Sequence, residues 1–273
     1  MSPSFMTQSK RLSLIFATLL ALCFSLFGSA TVASTVPVSN TDMVSNNWSG
    51  QVFYGADGEY TRVEAEWNVP CIQPDPRNTS HKPEASSIWV GLGGVVNSNH
   101  LVQAGTTQDI SYDAQGHAHT RYYAWFANQG FSNPRDKEDK KVLDETIVHC
   151  GDHMIARVEG PNSLYIRDVT QNRERGPVSA GPDSDQRTAE LIVERPKRGG
   201  PSYLANFQQT TLSQCKVFST KVRGELHLGQ FAGIPTQWTM VIDRQHDPRP
   251  MVEVLPVRES DSSFTVKWLL SGL

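Results

Sequence analysis

Beyond residue 46 the chain is built from short runs in which apolar and polar positions alternate, set between clusters of Gly, Pro, Asn and Asp. Alternation with a period of two marks a strand with one face in a core. In SSIWVGLGG at 86–94, Ile88, Val90 and Leu92 alternate with Trp89, Gly91 and Gly93. One face is thus apolar. The other carries an indole and then two positions without a side chain, a floor on which another backbone can lie. LVQAG at 101–105 reads as the next strand, with Gln103 among apolar neighbours. In TAELIVER at 188–195, Leu191 and Val193 point one way while Glu190, Ile192 and Glu194 point the other.

The same pattern predicts strands at 48–54, 61–69, 109–114, 121–127, 145–148, 153–159 and 163–168, and again at 216–228, 237–243, 251–256 and 263–269. Sustained helical periodicity is absent, although 135–143 is charged enough for one helical turn or a solvated loop. Many short strands with regular turn signals predict an all-β sandwich. The connections 71–84, 129–139 and 172–185 are long, polar and Pro-containing, and at least one is expected to border a groove.

The N-terminus changes the picture. Lys10 and Arg11 precede the apolar run LSLIFATLLALCFSLFG, and small residues follow at Gly28, Ala30 and Ser34. This is the layout of a secretory signal peptide cut after Ala30 or Ser34, and the run is slightly short of the ~20 residues a membrane span needs. The organisation expected is a signal peptide at 1–34, a short flexible leader at 35–45 and one domain at 46–273, with no membrane attachment after cleavage. About 240 residues remain, enough for a sizeable core. The formal charge of −3 becomes about −5 without Lys10 and Arg11, and no basic stripe points to nucleic acid. Cys71, Cys150 and Cys215 outlast the signal peptide, an odd count that matches no zinc spacing and does not select a disulfide pair.

A Gln strand and a Glu strand facing one groove supply an amide donor and a carboxylate base, the minimum for hydrolysing an amide through water. NNWSG at 46–50, YTRVEAEWNVP at 60–70, ASSIWVGLGG at 85–94, LVQAG at 101–105 and AELIVE at 189–194 occur in that order. Order, spacing and content resemble the glutamic peptidases, the eqolisin family. The resemblance implies a sandwich of two antiparallel sheets with a legume-lectin (concanavalin A-like) fold, and a secreted, cofactor-free and metal-free endopeptidase, monomeric, acting on proteins or peptides at acidic pH. Carried over, Gln103 matches the family's catalytic Gln, and Glu194 matches its catalytic Glu as the second Glu of the A-E-x-I-V-E strand. Trp48, Trp89, Gly91, Gly93 and Glu190 are expected to line the substrate groove. The chain departs from the fungal members at Gly93, Thr107 and Ala127, where they carry acidic residues.

Other chemistries are less well supported. No G-x-S-x-G, H-E-x-x-H or Asp-Thr/Ser-Gly signature is present. His117 with His119, and His149 with His153, are pairs with no third ligand at a recognised spacing. Asn47-Trp48-Ser49 and Asn78-Thr79-Ser80 fit the N-glycosylation pattern. From a different class, a non-catalytic sandwich that binds glycan or peptide in the same cleft also suits the pattern.

Overall fold

A computed structural model of the protein describes residues 43–97, 100–128, 140–179, 181–196, 202–222, 224–228 and 235–272. The expected signal peptide, most of the leader and the loop 129–139 lie outside them. The described strands form two sheets. The first is ordered β1 (Met43–Ser45), β15 (Thr236–Asp243), β2 (Trp48–Tyr54), β11 (Thr188–Glu194), β4 (Glu84–Leu92), β5 (Val102–Tyr112), β6 (Ala118–Asn128) and β7 (Lys140–Leu143). β12 (Tyr203–Leu204) pairs with β4, and β16 (Asp247–Pro250) with β15. The second sheet is ordered β10 (Arg173–Ser179), β9 (Ser163–Asp168), β8 (His153–Glu159), β3 (Tyr60–Asn68), β13 (Gln209–Ser219), β18 (Phe264–Trp268) and β17 (Val252–Val254), with β14 (Glu225–His227) on β13. All pairings are antiparallel except β1 with β15 and β12 with β4. The all-β sandwich expected from the alternation is what forms.

The core lies between the sheets. Ile88, Val90 and Leu92 from β4 and Leu191 and Val193 from β11 meet Val63, Ala65 and Trp67 of β3 and the apolar face of β8. Trp67 donates its indole N–H to Thr106 Oγ1 at 3.0 Å, tying the two sheets with a bond that leaves neither polar group orphaned. On the outer face of the second sheet, Glu64 is ringed by Arg62, Arg157 and Lys216.

Several sequence expectations change on folding. The stretches 101–105 and 109–114 are one strand, because Thr106, Thr107 and Gln108 are buried polar residues that bond to Trp67, Trp125 and Ser86 and so continue the ladder. Residues 145–148 are a turn held by Asp144, whose carbonyl accepts from Ile147 and Val148; the strand is Lys140–Leu143. Residues 172–185, expected as a loop, contain the edge strand β10. Met43–Ser45, assigned to the leader, pair with Trp238–Met240. The loop 71–84 is anchored: buried Glu84 accepts from Asp75 N, Asn78 Nδ2 and Tyr112 Oη. Asn78 is itself buried and its amide is used, which does not suit a glycosylation acceptor. Cys71 and Cys150 form the disulfide, and Cys215 is free and buried. The two ends that the disulfide joins, just past β3 and just before β8, are also zipped by Gly151 N to Val69 O at 2.8 Å.

Candidate active site

The outer face of the first sheet is covered as well. Val52, Trp89, Leu101, Trp125 and Ile192 form a second apolar cluster there, with Trp48 and Trp238 packed against it. Every residue of β4 is therefore buried, although only one of its faces looks into the sandwich. The face assignment from alternation holds: Leu191 and Val193 are in the inner core, while Ile192 lies in the outer cluster.

Strand register decides which polar groups on this outer face meet. Gly91 of β4 is paired with Glu190 on one side and with Gln103 on the other. Strands lie ~4.8 Å apart, so Glu190 and Gln103 have Cα atoms about 10 Å apart, in one row, with a residue that has no side chain between them. Glu190 Oε2 lies 3.2 Å from the point where a Cβ on Gly91 would stand. A side chain there would press on Trp89, Glu190 and Leu101.

Glu194 belongs to a different row. It pairs with Ser87 and Trp48, and Ser87 pairs with Thr107. Four residues along a strand separate its Cα from that of Glu190 by about 13 Å. The register thus sets Glu190, rather than Glu194, which the resemblance matches to the catalytic Glu, in the row of Gln103. Sequence matching could not see this, because both glutamates share a face and only the pairing with β4 and β5 tells them apart.

The two carboxyl groups also differ in partners. Glu194 is half-buried and accepts from Asn47 Nδ2 at 3.0 Å and from Trp89 Nε1 at 2.7 Å. Neither oxygen of Glu190 has a hydrogen-bond partner, and Gln103 Oε1 has none. Glu190 is fully buried, and loss of hydration holds its carboxyl well above the usual range; the Thr188 hydroxyl, beyond good hydrogen-bond geometry but close enough to act, lowers it, and the charge of Asp185, the smaller effect, raises it. Buried polar groups without a partner are rare, and each calls for a reason, among which a role in chemistry is a leading one.

Trp89 separates these environments. Its N–H edge is bonded to Glu194, whereas Cζ3 of its benzo ring lies 2.8 Å from the same Cβ point on Gly91. The indole thus turns a donor to one carboxylate and hydrocarbon to the other. Trp89 was expected to line the groove; it lies on that face but is fully buried, packed edge to face against Trp48 with centroids 5.0 Å apart. The open floor expected at Gly93 is likewise filled: a Cβ there would stand 2.5 Å from Ser184 Oγ and 2.8 Å from Asp185 Oδ1. Trp48 is partly buried and rests also on Trp238.

Sequence reading missed three residues here. Tyr54 follows Trp48, Gly50 and Val52 at period two and so falls on the site face, a signal the pattern held. Its side chain is 43% exposed, and its phenol is raised by partial loss of hydration and by the charge of Glu190. Trp238 and Asp185 come from distant segments and carry no local signal. Arg195, adjacent to Glu194 in sequence, turns away and donates to the carbonyls of Asn46 and Ile242. The histidine pairs turn to carboxylates: His117 and His119 to Asp113, His149 to Asp152 and His153 to Glu66. Among the described residues no group of three His, Cys, Asp or Glu is placed to hold a metal ion.

Solved structures with this fold include Scytalido-glutamic peptidase bound to a peptide-based transition-state analogue, with a TM-score of 0.60 and 17% identity over 82% of this chain and 98% of that one. A second is SCP-B, a member of the eqolisin family in complex with the tripeptide Ala-Ile-His, with a TM-score of 0.58 and 18% identity over the same shares of each chain. At such identities the likeness speaks for the fold. No curated protein matches the chain. The family itself is fixed by sequence: residues 46–246 match the Peptidase A4 family, so the chain belongs to that family and is a glutamic-type peptidase, a hydrolase.

Proposed function

We propose that the protein is a secreted endopeptidase whose catalytic pair is Gln103 and Glu190. The observation that carries this reading is the row Glu190–Gly91–Gln103, which sets a buried, unpartnered carboxyl opposite an amide across a position with no side chain. Ionised Glu190 takes a proton from a water, and the oxygen of that water attacks the scissile carbonyl carbon. Gln103 Nε2 donates to the oxyanion as it develops. The C–N bond then breaks as protonated Glu190 returns its proton to the leaving amine, and the carboxyl group is ready for another cycle. Glu194 serves at a distance by holding Trp89 in place.

The same burial bears on working pH. A base must be ionised, and desolvation raises the pH at which Glu190 ionises. Activity therefore falls away as pH drops through a value well above that of an ordinary carboxyl. The acidic optimum implied by the family resemblance is shifted toward weak acidity. Export follows from the N-terminal signal pattern, and mass spectrometry of the exported protein should find it starting after Ala30 or Ser34. Among the described residues no helix is long and apolar enough to cross a membrane.

The deciding experiment is digestion of casein by the exported protein, with Glu190→Gln and Glu194→Gln alongside. Loss in the first and retention in the second supports the reading. A wild-type protein that binds peptide but never cleaves it points instead to a binding cleft.

A further inference from the structure

We propose that Asp185 is a positioning residue for this site, its carboxylate acting on Glu190 from its seat against Gly93, two residues past Gly91. The inference rests on the assignment of Glu190 as base. Asp185 lies in the segment between β10 and β11, and that segment is clamped over the end of β4. Ser184 Oγ donates to Leu92 O at 2.8 Å, Gly93 N donates to Thr188 O at 2.9 Å, and Gly58 N donates to Asp185 O at 2.9 Å. Gly93 has φ +76° and no Cβ, and Asp185 Oδ1 sits 2.8 Å from where one would stand. Only a glycine takes this backbone conformation without strain and also leaves room for the carboxylate.

The charge of Asp185 is little compensated. Its Oδ1 accepts one backbone N–H, from Arg187 at 3.2 Å. The Arg187 side chain reaches Asp57 at 3.6 Å instead. Paired with Glu190 from β2 is Val52, and Tyr54, a neutral phenol, follows on the same face. β4 offers Gly91, with Gly93 just past its end, β5 the uncharged Gln103 and β6 Ala127, while on β11 itself Thr188 is neutral and Glu194 is turned to Asn47 and Trp89. Asp185 is the charged group that acts on Glu190 among the described residues, and its charge favours the protonated carboxyl. Gly93 follows the end of β4, at most ~7 Å from Gly91. A negative charge seated there raises the pH at which Glu190 ionises, and so slows cleavage below the acid limb.

The test compares exported wild type, Asp185→Asn, Asp185→Glu and Glu190→Gln. Asn keeps the size and the acceptor for Arg187 N–H while removing the charge. kcat/KM is measured against pH, and the Glu190 carboxyl is titrated by 13C NMR on Glu-labelled protein, its signal identified by its absence in Glu190→Gln. In Asp185→Asn the acid limb and the Glu190 titration should both move down, by the same amount, with Asp185→Glu restoring both. A folded Asp185→Asn whose Glu190 titrates as in wild type overturns the proposal. If Glu190→Gln still cleaves, the base assignment falls, and the titration alone decides whether Asp185 acts on Glu190. Should Asp185→Asn fail to fold, the salt dependence of the wild-type titration replaces it: the titration should move down as salt screens Asp185, and indifference to salt overturns the proposal.

Discussion

The two ends of β11 present the same side chain on the same face of one strand, and they are chemically unlike. At the Glu194 end the carboxylate has two good donors and partial access to water. At the Glu190 end it has neither. The difference comes from the neighbouring strands. The row through Glu194 holds Ser87 and Thr107, which bond to each other at 2.7 Å, while Trp125 donates to Thr107 at 2.8 Å. The row through Glu190 holds Gly91, Gln103 and Ala127. One end is a finished hydrogen-bond network that fixes structure. The other stores an unmet demand for partners, which is what a substrate and a water can supply.

This contrast is broken most directly by exchanging function between the ends. Glu190→Gln should lower kcat by about 10²–10⁴, the usual worth of a general base, while Glu194→Gln should lose about tenfold or less. The reverse order, read from casein digestion, would falsify the pairing of Glu190 with Gln103. Next in size, Gln103→Ala removes the oxyanion donor and should cost about 10²–10³ in kcat. An unchanged kcat with a raised KM in that variant moves Gln103 from chemistry to substrate binding.

A stability measurement sharpens the comparison from the other side. Glu194→Ala leaves the buried Trp89 N–H without its acceptor and should destabilise the fold by about 1–3 kcal/mol in urea unfolding. Glu190→Gln should not destabilise at neutral pH, since it replaces a carboxyl that burial disfavours when charged. Equal losses for the two substitutions contradict the contrast.

The smallest effect is on the pH dependence of stability. Glu190 has its folded value raised by burial, and so has buried Asp168, whose neighbour Asp152 adds to the shift. Raised carboxyls bind protons more tightly in the folded state. Their contribution is fully present below the unfolded values of about 4 and is lost as pH rises through the folded ones. Glu59, Asp75, Asp113, Asp243 and Asp247 are lowered instead, and their contribution is lost as pH falls below about 4. Between about pH 4 and neutrality the raised pair sets the trend, and melting temperature should fall over that range. Asp168→Asn and Glu190→Gln should each flatten that fall, as differential scanning calorimetry across pH can check. A slope unaltered in both variants means that other groups set it.

Alternation identified the sandwich and the strand faces, because period two is a local property that backbone geometry imposes on any half-buried strand; the family resemblance singled out Gln103 and Glu194 on those faces. Alternation divided β5 in two, since buried polar residues such as Thr106 and Gln108 read as turn until their partners across the sheet are known. It left the disulfide open among three cysteines, for spacing along the chain says nothing of distance in space. Tyr54 was within reach of the pattern, whereas Asp185 and Trp238 were not, because the segments that carry them meet the site only through the fold.

What the sequence determined by itself is the set of side chains on each face, which follows from chirality and pleat one residue at a time. What only the tertiary structure decided is which residues share a row. Register is fixed by turns, glycines and packing far from the strand concerned. Here it places Gly91 between Glu190 and Gln103, and it gives Glu194 to Trp89 and Asn47.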